Sequence, residues 1–75
     1  MYHRIKFIAQ FRADPPRPPQ HLLERVVIRK GTRLRARVWS YVVESEGGPT
    51  EVADLLFADG TSAVGVQCAC FSFVG

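Results

Sequence analysis

The chain has no lysine or arginine after Arg37. All ten of its basic side chains precede that point, so residues 1–43 carry a net +8 and residues 44–75 a net −5. A second half without cations cannot neutralise its own acids. The two halves are therefore set to attract each other, a partner or a polyanion. Long hydrophobic runs are missing too. The longest apolar stretches are a handful of residues, far short of the ~20 that a membrane-crossing helix needs. Cysteine is scarce: Cys68 and Cys70 alone cannot build the framework of a disulfide-stapled secreted domain. The opening MYHRIKFIAQFRA carries early positive charge but only a broken apolar run before Arg12, unlike a signal peptide. Together these features lead us to expect a reduced, cytoplasmic protein that makes no use of a membrane.

Recognised chemical motifs are equally sparse. Glu46-Gly47-Gly48-Pro49 lacks the lysine and the strand–helix setting of a phosphate loop. Cys68 and Cys70 lie two apart rather than in the Cys-x-x-Cys turn spacing of metal sites. On a strand they would share one face, where a disulfide between them is awkward, so they read as structural thiols. His3 and His21 are distant from them in sequence. Either histidine could approach Asp14, Asp54, Asp59, Ser40 or Ser62 in space, but nothing local aligns a nucleophile, a base and an orienting acid. No catalytic residue, metal or other cofactor is expected, and no internal repeat is visible.

What is present is alternation. Ile5, Phe7, Ala9, Phe11 and Ala13 fall on one face of 4–13, with Arg4, Lys6, Gln10 and Arg12 on the other and Ile8 as the one intruder. Period two with these residue types predicts a strand with one wet face. Four prolines among residues 15–19 then stop it, which marks 14–19 as a polyproline-like connector. That segment fits an inter-strand spacer or an arm around a neighbour, and also the form in which aromatic grooves bind proline-rich peptides. Residues 20–30 read two ways: a helix over 20–28 from the spacing of Leu22, Leu23, Val26 and Val27, or a strand over 24–29 from the Val-Val-Ile run. We favour the strand.

Residues 33–44 alternate again. Leu34, Ala36, Val38, Ser40 and Val42 occupy one face; Arg33, Arg35, Arg37, Trp39, Tyr41 and Val43 the other. A one-residue slip would bury the arginines, so the register is firmly set. Residues 44–49 read as a flexible acidic loop. Over 51–57 a two-turn helix, from Val52, Leu55 and Leu56, competes with a strand leading into an Asp59-Gly60 turn. The strand–turn–strand unit is the reading we adopt, and 61–74 is rich enough in Val, Cys and Phe to be strand. The expected fold is mainly β: one domain over 1–75, built as a small four- to five-stranded antiparallel barrel or curled sheet, with a short helix at 20–28 or 51–57 as the alternative.

Seventy-five residues lie near the lower limit for a self-sufficient core, and self-association would supply further burial. The first functional expectation is a non-enzymatic assembly or protein-interaction module. It would be a homo-oligomer, dimer or higher, or would bind a small protein partner. Trp39, Tyr41, Phe71 and Phe73 would be its interface anchors. The acids Glu44, Glu46, Glu51, Asp54 and Asp59 would face the basic stripe, within the chain or across a boundary. The second expectation is a binder of single-stranded nucleic acid. Arg33, Arg35 and Arg37 would neutralise phosphates while Trp39 and Tyr41 stack on unpaired bases. A catalytic site assembled at an oligomer interface ranks third.

Overall fold

A computed structural model of the chain describes residues 1–13 and 24–75. The proline-rich connector at 14–19, His21 and the first part of the expected 20–28 helix lie outside them. Among the described residues seven strands follow one another: β1 His3–Phe7, β2 Phe11–Arg12, β3 Val27–Ile28, β4 Arg33–Ser45, β5 Gly48–Phe57, β6 Ser62–Gln67 and β7 Phe71–Phe73, with a 3₁₀ turn at Cys68–Cys70 before the last. Five of them form one antiparallel sheet in the order β6-β5-β4-β1-β7, while β2 and β3 pair as a separate ribbon.

This corrects the expected barrel or curled sheet. The sheet is open: no ladder joins its edge strands β6 and β7 among the described residues. One reason lies at Ile8, where the period-two pattern falters. The backbone bends over Ile8–Ala9, and both amides donate to the Cys70 carbonyl, at 2.8 and 3.2 Å. The strand expected over 4–13 is therefore two, and its second part, Phe11–Arg12, leaves the sheet to pair with Val27–Ile28. The continuous strand expected over 61–74 is likewise divided, by the 3₁₀ turn at Cys68–Cys70.

The helix alternatives are overturned as well. Residues 51–57 belong to β5, paired along its length with β4 from Ala36↔Phe57 to Ser45↔Gly48. Leu55 and Leu56 look like a helical stripe but lie on opposite faces, Leu55 buried and Leu56 half-buried. Of 24–28, Glu24 makes a bridge to Ser62 and Val27–Ile28 is strand. The acidic loop expected at 44–49 is instead a tight hairpin turn at Glu46–Gly47. Gly48 follows it in the left-handed region at φ 104°, a conformation costly for a residue with a Cβ.

The core lies on one face of the sheet. Ile5, Phe7, Ala36, Ala53, Leu55, Phe57, Ala63, Val66 and Phe71 are buried, joined by Phe11 and Ile28 from the ribbon. Ala63 and Val66 both point inward although they are three apart. The reason is a β-bulge: Ala53 pairs with Val66 and Leu55 with Ala63, so Val64 and Gly65 together stand against Asp54. Gly65 sits at φ 68° and donates its amide to Asp54 Oδ1 at 3.0 Å.

The Asp59-Gly60 turn forms as the sequence predicts. Asp59 Oδ1 accepts from the Thr61 amide and hydroxyl at 2.9 and 2.6 Å, an Asx-type turn. Arg25 then ties the chain leading into the ribbon to this turn. Its Nη2 lies 2.8 Å from Asp59 Oδ2, its Nε donates to Thr61 Oγ1 at 2.8 Å, and its guanidinium sits 5.4 Å from the Phe57 ring centroid.

Candidate nucleic-acid interface

Strand alternation decides what reaches the face opposite the core. Leu34 and Ala36 of β4 face the core, so Arg33, Arg35, Arg37, Trp39 and Tyr41 project from the other side. All five residues of the sequence-predicted stripe are exposed there, Trp39 by 53% and Tyr41 by 40%. The ladder with β1 enlarges the group. Arg4 stands opposite Arg35 and Lys6 opposite Arg33, and the Arg37 guanidinium lies over the Tyr2 ring at 5.2 Å. The face therefore carries five cations and three aromatic rings.

Arg4, Lys6 and Tyr2 were missed as site residues. The alternation over 4–13 placed Arg4 and Lys6 on a wet face, but which strand that face adjoins is set by the β1–β4 register, which the sequence does not display. Arg4, Arg33 and Arg35 line one shallow depression of the surface, together with Val74.

Like charges directly opposite one another across a ladder repel. Acids would relieve this, but within one chain the C-terminal acids do not meet the basic stripe among the described residues. The one ion pair there is Arg25–Asp59, away from the stripe. Glu44 and Glu46 lie at the hairpin tip, and Glu51 is on the core side of β5. Asp54 alone shares the basic face, opposite Trp39. Its Oδ1 is already engaged by the Tyr41 hydroxyl, which donates at 2.8 Å, and by the Gly65 amide. The hydrogen bond to Asp54, with burial and the carboxylate charge behind it, raises the Tyr41 phenol above its ordinary pKa.

The four expected interface aromatics do not form one patch. Pairing with β1, Ile5↔Phe73 and Phe7↔Phe71, puts the two phenylalanines on the core side, opposite to Trp39 and Tyr41. Phe71 is a core residue, 6% exposed, whereas Phe73 is 60% exposed and packs edge-on against His3 at 5.4 Å.

Cys68 and Cys70 sit on the 3₁₀ turn rather than on a strand, half-buried against the core as free thiols. Burial, followed by the neighbouring Glu51 carboxylate, pushes the Cys68 thiol up. Among the described residues no three His, Cys, Asp or Glu side chains cluster to hold a metal ion, and no helix is long and apolar enough to cross a membrane. No family model, curated protein or solved structure matches the chain.

Proposed function

We propose that the chain binds single-stranded nucleic acid on the face formed by β1 and β4. The observation that carries this reading is the pairing of Arg4 with Arg35 and Lys6 with Arg33, beside Trp39 and Tyr41, with no ion pair to any of the four cations among the described residues. Four cations opposed in pairs repel one another, and a row of phosphates removes that repulsion while releasing counterions. The rings supply the second element. Same-face residues on a strand are about 6.8 Å apart, so Trp39 and Tyr41 offer successive stacking surfaces to unpaired bases. Stacking of this kind is tolerant of sequence because every base has a π-face, and nothing on the face imposes a base-specific pattern of donors and acceptors.

Titration of a labelled single-stranded oligonucleotide at several salt concentrations tests this. Five phosphate contacts on a single strand give a log–log salt slope of about −3.5, and neutralising Arg33, Arg35 and Arg37 together makes it shallower by about 2. Binding should also quench Trp39 fluorescence. Absence of binding at low salt, or binding unaffected by the triple substitution, defeats the proposal.

A further inference from the structure

Strand β4 outruns its neighbour. Its ladder with β1 spans Arg33 to Ala36, and the cation–π contact of Tyr2 with Arg37 continues that contact by one residue. From Trp39 to Ser45 the strand has β5 on one side and no strand on the other among the described residues. Every residue of this span is exposed, Val42 by 62%. The Ala58 amide donates to the Arg35 carbonyl, so odd-numbered residues of β4 direct their main-chain groups toward β5. Even-numbered residues, here Ser40, Val42 and Glu44, direct theirs to the open edge.

We infer that this edge pairs with the same edge of a second copy, antiparallel about a two-fold axis at Val42. Several observations favour a copy of this chain as the occupant. The free span Trp39–Ser45 has Val42 at its midpoint, so this axis uses the whole span without meeting β1. The pairing sets Tyr41 against Val43, an aromatic–β-branched pair, and Ser40 against Glu44, in both copies. It also brings the acidic hairpin tip, Glu44 and Glu46, alongside the stem of the other copy, where Arg37 lies; the parallel alternative would set acid against acid. The edge is little blunted: residues 38–43, Val-Trp-Ser-Tyr-Val-Val, contain no proline, lysine or other charge, and Glu44 is the one charge in the free span. Beyond the ladder of β5 with β6, which ends at Val52↔Gln67, the hairpin is two-stranded and marginal alone, and pairing makes it the centre of a four-stranded segment. An axis perpendicular to the sheet keeps the two outer faces on one side, so the Trp39 and Tyr41 pairs of both copies lie side by side.

The inference goes beyond the nucleic-acid reading and does not depend on it. Sedimentation equilibrium of the full chain, freed of nucleic acid, at micromolar concentration tests it. Wild type should give twice the 8.4 kDa chain mass. Val42→Pro removes only an amide directed at the open edge, so it should halve the mass and leave the far-UV spectrum of the sheet unchanged. Val42→Lys, which keeps the backbone intact, should give the same single mass if the proline variant fails to fold. A monomeric wild type overturns the inference, including the case in which the edge serves an extended peptide from another protein. A Val42→Lys variant that stays at double mass also overturns it.

Discussion

Arg35 stands directly opposite Arg4 across the β1–β4 ladder, two guanidinium side chains on one face with no carboxylate paired to either among the described residues. Such an arrangement opposes folding. Arg35→Glu turns the repulsion into an attraction, with an expected gain of about 0.5–1 kcal/mol in folding free energy. The same substitution should weaken oligonucleotide binding at least tenfold. Thermal melts and binding titrations on one preparation read both effects, and a variant that loses stability and affinity together contradicts the assignment. Wild type itself should melt higher in high salt, where the repulsion is screened.

The Arg25–Asp59 pair gives the domain an acid-sensitive element. Hydrogen bonds from Thr61 and then from Arg25 hold the Asp59 carboxyl at about 2, below its ordinary 3.8. The unfolded chain therefore takes up this proton first as pH falls, and the contribution of Asp59, complete above about pH 4, is lost as pH drops toward 2. Melting temperature plotted against pH should fall across this window. Asp59→Asn should flatten the fall while lowering stability at neutral pH.

Gly65 is left-handed at φ 68°, with nothing within 4 Å of where a Cβ would stand. Gly65→Ala should consequently cost about 1 kcal/mol through backbone strain alone, and Gly65→Asn less, since asparagine tolerates this conformation. The amide at this bulge donates to the carboxylate that also holds Tyr41. Asp54→Ala should therefore bring the Tyr41 phenol back down toward its ordinary value, seen as an earlier tyrosinate absorbance in an alkaline titration.

Cys68 should be a slow nucleophile. Burial, and then the charge of the neighbouring Glu51 carboxylate, both hold the thiol protonated. Glu51→Gln removes the charge and leaves the burial. Alkylation of Cys68 followed by peptide mass mapping should accelerate several-fold at fixed pH in this variant. An unchanged rate would mean that burial alone governs the thiol.

Part of the fold is legible in local sequence. The two faces of β4 follow from strict alternation over 33–44, and the Asp59-Gly60 turn follows from residue types that can adopt it. Alternatives stay open where short apolar runs satisfy two periods at once. Val52, Leu55 and Leu56 suit a helix by spacing, and only the ladder with β4, a contact absent from local sequence, makes them strand. The end of the first strand at Phe7 was visible as Ile8 breaking the pattern, but its partner at Cys70 was not. For the candidate site the same division holds. The β4 stripe was legible, whereas Arg4, Lys6 and Tyr2 join it through inter-strand register, which is a property of the assembled sheet.

Asp54 accepts from both the Tyr41 hydroxyl and the Gly65 amide, so one ring of the exposed face is fastened to the β5–β6 bulge before any ligand arrives. Docking against it forfeits little rotamer freedom at that position, while no side-chain hydrogen bond holds Trp39 among the described residues. On the proposed nucleic-acid reading the face is thus half preorganised: a fixed ring to receive one base, beside an adaptable one that can follow the next.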